Sequence, residues 1–564
     1  MNTNKKLLTI SHLKKYFPIA KSSIFQRERL YVKANEDISL EINEGETIGL
    51  VGESGCGKST LGRVILQLYE QTAGTTMYYG RKLDEVAPSY VKDTLMNLDK
   101  YLDRYNKVKA KADNIRAKVN EIGEENADFF LLQDKSLAIS DEKTLFSHIV
   151  KIVGGFFACK DKAVRNQGLS HMLKIYEKNA EIYRLKQAMN KETSLLEVLE
   201  TAEKPNKGKI NSTKARIDSI GKTLDNDRVV VKQLNDELVE IKKPLLEDPT
   251  FAEYEKLLDD GIDLARLKYD EIRLLRKDLQ VIYQDPYSSL DPRMTIGQII
   301  EEGLVTHNFF RHGSKAMKEY ILKIMRDCGL QDYMIHRYPH QFSGGQRQRV
   351  CIARALAVRP KFVVCDECVS ALDVSIQSQI INLLDELKEK DNLTYLFISH
   401  DLSVVKYISD KIGVMYLGNL VEFADKNSIF DDPRHPYTVS LLSSIPTTDV
   451  DSRDKERIIL EGNIPSPIRP PQGCKFHTRC FMACDKCKRV PPELVEVEKG
   501  HFVACHFPER KIDKKGNYLF ELPKTESMRI GNDNSPDVEK EKVEESPKIA
   551  PKVKNPPKKT AKKE

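Results

Sequence analysis

The residues Gly52-Glu53-Ser54-Gly55-Cys56-Gly57-Lys58-Ser59 form the clearest chemical signal in the chain. Glycines at these spacings let successive backbone N–H groups close around phosphate oxygens, provided that a strand delivers the loop and a helix receives it. Both flanks have the required pattern. Ile38, Leu40 and Ile42 alternate with polar residues as a half-buried strand, Glu44-Gly45 turns, and Thr47–Val51 reads as a short buried strand running into the glycines. After Ser59, the residues Leu61, Val64, Ile65 and Leu68 recur at helical spacing, so the loop would meet the positive end of a helix dipole. Gly52, Ser54, Gly55, Cys56, Gly57 and Thr60 would then cradle a nucleotide. Lys58 would reach the β- and γ-phosphates of ATP, and Ser59 would ligate Mg²⁺.

Farther along, Phe362-Val363-Val364-Cys365 is a continuous apolar run ending in Asp366-Glu367. That is the pattern of a central parallel strand delivering two carboxylates at its C-terminal end. Asp366 is expected to hold Mg²⁺, directly or through water, and Glu367 to accept the proton of an attacking water. Thr394–Ile398 is a second strand-like run and places Ser399-His400 at the same sheet edge. A lone histidine has many structural uses. One strand after the acid pair, His400 is expected to contact the γ-phosphate.

Phe342-Ser343-Gly344-Gly345-Gln346, then Arg347-Gln348-Arg349, resembles the signature motif of the ABC ATPase family, with Phe342 where Leu is commoner. The resemblance implies an α/β P-loop NTPase fold and an active site shared by two chains. Ser343, Gly344, Gly345 and Gln346 would cap ATP held by an opposing subunit, and backbone amides at a helix start suit that task. Ser370-Ala371-Leu372-Asp373 resembles the family's D-loop, ending in Asp373. Gln284 in Tyr283-Gln284-Asp285-Pro286 resembles the Q-loop, which implies contact with Mg²⁺, the γ-phosphate region and membrane subunits. Phe17 fits the aromatic that stacks on adenine, with Tyr16 a close rival.

Longer motifs narrow the resemblance. The run from Tyr283 to Arg293, Pro433-Arg434-His435-Pro436-Tyr437-Thr438, Pro465-Ser466-Pro467, and Pro470-Pro471-Gln472-Gly473-Cys474 are similar to oligopeptide and dipeptide importer ATPases, with the phosphate loop favouring the F-type subunit. The resemblance covers about 1–84 and 272–508. It implies an ATP-hydrolysing subunit working with a second ABC ATPase, two transmembrane permeases and an extracellular peptide-binding protein. Nickel and other small-solute importers share much of this pattern.

Between Lys58 and Gln284 the chain departs from that family by a long insert. Leu98, Tyr101, Tyr105, Val108, Ala112, Ile115, Val119 and Ile122 step by threes and fours, as do Ile217, Ile220, Leu224, Val231, Leu234, Leu238 and Ile241, with Asp227 interrupting the second seam. Two runs of equal length suggest that they pair as an antiparallel coiled-coil hairpin, with 129–199 forming a small helical tip.

Five of the eleven cysteines crowd into 474–505. In a reducing compartment such clustering points to metal ligation ahead of disulfides. The importer resemblance implies an iron–sulfur cluster at Cys474, Cys480, Cys487 and Cys505. Four thiolates suit [4Fe–4S] or zinc. Cys484 is a fifth candidate, and His477, His501 and His506 keep a mixed-ligand zinc site open.

The expected organisation is a nucleotide-binding domain in two parts, 1–84 and 272–445, a helical insert at 85–271, a Cys-rich C-terminal domain at 446–523 and a disordered tail at 524–564 rich in Lys, Glu and Pro. Ninety basic against 84 acidic residues leave a formal net charge of +6, which gives no reason to expect nucleic acid. Without an apolar run long enough to span a bilayer, or a signal segment, the chain is expected at the cytoplasmic face of the membrane, held there by partners. A DNA-repair ATPase of the SMC type would also combine a coiled coil with cysteines. There, however, the insert follows the Q-loop and carries the cysteines at its tip, opposite to the order here.

Overall fold

The computed structural model describes residues 5–21, 29–124, 126–200, 206–444, 458, 460 and 462–508. The tail at 524–564 lies outside them. Strands with apolar residues on both faces need cover on both faces, and β3 (Thr47–Val51), β7 (Phe362–Asp366) and β8 (Thr394–Ile398) are buried at every residue. They lie side by side in an eight-stranded sheet of order β11-β12-β10-β9-β3-β8-β7-β6. Here β6 is Leu279–Ile282, β9 Lys411–Tyr416, β10 Asn419–Asp425, β11 Val495–Glu498 and β12 His501–Val503. From β6 to β9 every pairing is parallel; β10, β12 and β11 add antiparallel strands at one edge. The Cys-rich C-terminal region therefore shares its sheet with the nucleotide-binding domain.

A second sheet of four strands is antiparallel, in the order β2-β1-β4-β5: β1 Lys6–Pro18, β2 Tyr31–Asn43, β4 Ala73–Tyr78 and β5 Ile262–Asp263. Helix α1 (Lys58–Ile65) leaves the phosphate loop and buries Leu61, Val64 and Ile65 between the sheets. Leu68, expected on that stripe, lies past the helix end and is 41% exposed.

The insert leaves β4 and returns as β5, its hydrogen-bonded neighbour, with Met77 opposite Asp263 and Tyr78 opposite Ile262. Its ends thus fall at Tyr78 and Ile262 rather than at 85 and 271. Ile262, Leu264 and Ile272 belong to the same core as β1 and α1. Within the insert, α2 (Leu98–Ile122) packs on α3 (Phe129–Val153), and α4 (Lys162–Glu200) on α5 (Lys207–Leu245). The two heptad runs were expected to pair with each other; each instead packs on its neighbour in the chain. A heptad seam shows that a helix has a partner without saying which, and short connections favour sequence neighbours. The expected small tip at 129–199 is instead α3 and the 39-residue α4. The chain reversal after α4 includes 201–205, outside the described residues.

Asp227, the break in the second seam, is 6% exposed and accepts an ion pair from Lys178 of α4 at 2.8 Å. The base of the insert is fastened to the antiparallel sheet: Lys14 Nζ donates to Ser136 Oγ, and the Gly74 N–H to Thr144 Oγ1, both at 2.7 Å. Tyr90, Leu98, Ile149, Phe156, Tyr176 and Phe251 form a separate core beneath it. Among the described residues, no helix is long and apolar enough to cross a membrane.

Because the base has its own core and the far half of the α4/α5 pair packs on itself, replacing 191–216 with a short Gly-Ser turn should shift the melting temperature by only a few degrees. Differential scanning calorimetry checks this; a large fall would show that the far half supports the base.

Candidate functional site

The phosphate loop leaves the C-terminal end of β3 and curls through three glycines of positive φ, Gly52, Gly55 and Gly57. At two of them there is also no room for a side chain. A Cβ on Gly52 would lie 2.2 Å from the Met415 carbonyl oxygen, and one on Gly57 2.1 Å from that of Ala34. Ser54 and Gly55 face solvent, Cys56 is buried, and Thr60 sits half-buried in the first turn of α1. Lys58 is 4% exposed, and its Nζ donates to the Gly52 carbonyl at 2.7 Å and the Glu53 carbonyl at 3.2 Å. The ammonium thus lies against the loop whose amides would meet phosphate.

At the adjoining strand ends, Ser59 Oγ donates to Asp366 Oδ1 at 2.5 Å, pairing two of the three expected Mg²⁺ ligands. Arg63, which the motif reading missed, contacts the other carboxylate oxygen at 3.2 Å. Its signal was helical spacing: four residues after Ser59, it lies one turn along the same face of α1.

Glu367 is the meeting point of the other expected catalytic groups. Gln284 Nε2 donates to its Oε2 at 2.9 Å, and His400 Nδ1 lies 3.6 Å from the same oxygen. Glu367 has φ +49°, a conformation that side-chain-bearing residues rarely adopt and that turns its carboxylate off the strand line. Its N–H is held by the Ile398 carbonyl at 3.0 Å.

The signature residues are not part of this cluster. Ser343 caps helix α6 (Gly344–Ala357) in a reciprocal box: Ser343 Oγ accepts from the Gln346 N–H at 3.4 Å, and the Gln346 side chain accepts from the Ser343 N–H at 3.1 Å. Ser343 is exposed, whereas Phe342 is 4% exposed in the main core. Asp373 caps the next helix and is also exposed, its carboxyl held below the usual range by the Ile376 N–H. Ser343 and Asp373 thus sit exposed at helix starts, where backbone N–H groups face outward. Arg347 of α6 stacks its guanidinium 3.6 Å from the ring centre of Tyr287, three residues past Gln284, a link from signature to Q-loop that no motif reveals.

Of the two aromatic candidates, Tyr16 is 3% exposed with its hydroxyl committed to Glu36, while Phe17 is half-buried beside Tyr69, at 5.5 Å between ring centres. Phe17 is the more open of the two, with the Lys15 ammonium 4.6 Å from its ring centre.

Cys474, Cys480, Cys487 and Cys505 line one small cavity. Cys484 lies outside it, with its sulfur 3.6 Å from that of Cys487. His501 is bound to buried Glu422 at 2.8 Å, and His477 and His506 bond the carbonyls of Cys474 and Val490. Among the described residues no group of three or more His, Cys, Asp or Glu is drawn close enough to hold a metal ion. The thiols surround a space without converging on one point. Burial pushes the Cys474 and Cys487 thiols up to about 11, and Cys480 higher still. The remaining six cysteines are buried, as expected of small apolar residues.

The sequence pattern described as ABC transporter matches residues 35–170 and 192–370, and that described as oligopeptide/dipeptide transporter, C-terminal region, matches 421–487. The oligopeptide transport ATP-binding protein AppF of Bacillus subtilis is 51% identical over 253 residues, 44% of this chain and 76% of that protein. YkfD of the same organism, also named for oligopeptide transport, is 50% identical over 247 residues, 44% and 75% of the two chains. A protein of Brucella ovis named for peptide import is 52% identical over 251 residues, 44% and 78%.

Since the thiolate is the nucleophile, a Cys474 thiol raised to about 11 should react slowly at neutral pH. In metal-free protein its alkylation by iodoacetamide should accelerate about tenfold per pH unit up to that value, where an ordinary cysteine levels off near its own value of about 8.5. Mass spectrometry of the modified peptide over pH 7–11 checks it.

Proposed function

This chain belongs to the ABC transporter family, and we infer that it is the ATP-hydrolysing subunit that powers uptake of oligopeptides across the cell membrane, an F-type subunit of such an importer. The observation that carries the reading is the convergence of Gln284 and His400 on the Glu367 carboxylate, beside the Ser59–Asp366 pair and the phosphate loop. The peptide substrate is supported by the identity to named oligopeptide transport proteins and by the match over 421–487.

ATP would lie with its phosphates on the amides of Gly52–Ser59 and Lys58, and its adenine on Phe17. Ser59, Asp366 and Gln284 would hold Mg²⁺: all three offer hard oxygen donors, and the Ser59 and Asp366 oxygens already adjoin. When bound, Mg²⁺ offsets charge on the β- and γ-phosphates. Glu367 takes the proton of the attacking water, Gln284 and His400 orient that carboxylate, and His400 reaches the γ-phosphate. Ser343, Gly344, Gly345, Gln346 and Asp373 close on nucleotide held by a second ABC ATPase, and both ATPases sit on two permeases at the cytoplasmic face, fed by an extracellular peptide-binding protein. The Q-loop stack of Tyr287 on Arg347 ties that closure to the signature helix.

By donor type, Cys474, Cys480, Cys487 and Cys505 would suit a [4Fe–4S] cluster or zinc once drawn together across the cavity that they line. Bound there, it would cross-link the turn at 474–487 to Cys505, just past β12, in a structural role.

Glu367→Gln should lower ATP hydrolysis by about 10³-fold while ATP stays bound. Purified from membranes in ATP, that variant should bring down a second ABC ATPase and two multispanning permeases, identified by mass spectrometry. Recovery of DNA-repair or ribosomal proteins in their place would reject the importer. Anaerobically purified protein should contain either iron with sulfide and a visible charge-transfer band, or zinc, near one centre per chain. Protein with neither, its four thiols free, would reject the metal site.

A further inference from the structure

Glu53 stands inside the phosphate loop, and its carboxylate is gripped from outside. Arg479 holds it in a two-pronged ion pair, Nη1 to Oε2 at 2.6 Å and Nη2 to Oε1 at 3.0 Å. The arginine side chain is 5% exposed and the glutamate 24%. A planar fork on a carboxylate fixes orientation as well as distance, and partial burial keeps water from competing for it. The main chain at Glu53 is held too: its N–H donates to Tyr437 Oη at 2.9 Å, and Tyr437 is wholly buried in helix α7 (Pro436–Ser443). Lys58 rests on the carbonyls of Gly52 and Glu53. The backbone that Arg479 and Tyr437 steady therefore supports the lysine expected to meet phosphate.

Arg479 comes from the turn that bears the cysteines. It is bracketed by Cys474 and Cys480, both lining the cysteine cavity. Its own N–H closes a turn on the Phe476 carbonyl at 3.0 Å. Phe476 is 1% exposed and packs on Tyr416 and Tyr437, with ring centres 5.1 and 5.3 Å away. The Arg479 guanidinium itself lies 6.0 Å from the centre of the Tyr416 ring. One short, well-packed turn thus presents cysteines to the cavity and an arginine to the phosphate loop, with no slack chain between them.

Resting on the reading that this loop binds ATP, we propose that Arg479 is a positioning residue for the nucleotide: through Glu53 it holds the first half of the phosphate loop in shape, so that ATP affinity depends on the folded state of the cysteine turn. Any change that rearranges Cys474 or Cys480 would then be felt at the nucleotide without touching it.

The test is titration of the full chain with mant-ATP and Mg²⁺, each variant paired with its melting temperature. Lys58→Ala is the control for the underlying reading: if wild-type protein does not bind mant-ATP, or the control binds as well as wild type, the ATP assignment of the loop fails. With that control passed, Arg479→Ala should weaken binding about tenfold, the scale of one charge-assisted pair. Arg479→Lys, which keeps the charge and loses the fork, should lose less. Glu53→Ala should weaken binding to a similar degree, and Glu53→Ala/Arg479→Ala should be no weaker than either single change, since both remove one interaction. Cys480→Ser should weaken binding and add nothing to Arg479→Ala. Wild-type affinity in folded Arg479→Ala overturns the proposal, as do additive losses in the double variant or unchanged affinity in Cys480→Ser. If Arg479→Ala does not fold, Glu53→Ala decides: about tenfold weaker binding supports the proposal, and unchanged affinity overturns it.

Discussion

Everything in this fold is arranged around a loop that has no room for two side chains. Gly52 is pressed against the carbonyl of Met415 on β9, and Gly57 against that of Ala34 on β2. The loop is thus wedged between the two sheets, and its hydrogen bonds join them: Asn35 Nδ2 donates to the Gly57 carbonyl at 3.1 Å, the Gly418 N–H to the Cys56 carbonyl at 2.9 Å, and the Glu36 N–H to the Gly418 carbonyl at 2.8 Å. A curled backbone with its amides turned outward has little to stabilise it locally. Support has to come from both sheets at once, and that is why the adenine-side strand β1 keeps a fixed relation to the parallel strands that carry the carboxylates.

The second constraint is electrostatic. Asp366 and Glu367 are consecutive residues at one strand end, and side by side their charges repel. Asp366 is the last residue of β7, and Glu367, at φ +49°, has left strand geometry. Each then finds different company, Ser59 and Arg63 for Asp366, Gln284 and His400 for Glu367. A left-handed residue without glycine's freedom costs about 1–3 kcal/mol. The Ile398 carbonyl on its N–H and the Gln284 amide on its carboxylate help to offset that cost.

Legibility in the sequence followed distance along the chain. The phosphate loop, the strand ending in Asp366-Glu367 and the capping box at Ser343 are contiguous, so local pattern and local geometry agree. His400 stood out because it follows a recognisable strand, and Gln284 because Tyr283-Gln284-Asp285-Pro286 resembles the Q-loop. What escaped was pairing between distant segments with no pattern of their own, Arg479 with Glu53 and Arg347 with Tyr287, and also the partner of each heptad seam, which the seam's own periodicity does not name. Tyr16 and Phe17 were inseparable in the sequence because the choice between them is made by Glu36, far off in the chain and adjacent only across β1 and β2. Cys484, a fifth candidate beside the four implied by the importer resemblance, lies outside the cavity those four line.

The insert shows how a domain can accept a large addition without changing its chemistry. Its two ends are facing residues of paired antiparallel strands, so along the chain it replaces a turn between β4 and β5, and closing a longer loop there costs little extra entropy. That cost is repaid locally, since the base buries its own core and the α4/α5 pair covers its own stripe. Burying Asp227 in that stripe would be expensive alone, and Lys178 offsets it. A charged pair at one seam position also disfavours other registers of two long helices, which a uniformly apolar seam would tolerate. Contact with the cassette is then confined to α3 and the helices at the root, where Ser136 and Thr144 meet β1 and the start of β4. Through Ser136 and Thr144 the insert adjoins β1, the strand that carries Phe17, and β4, and through Phe129 it also meets Lys33 of β2.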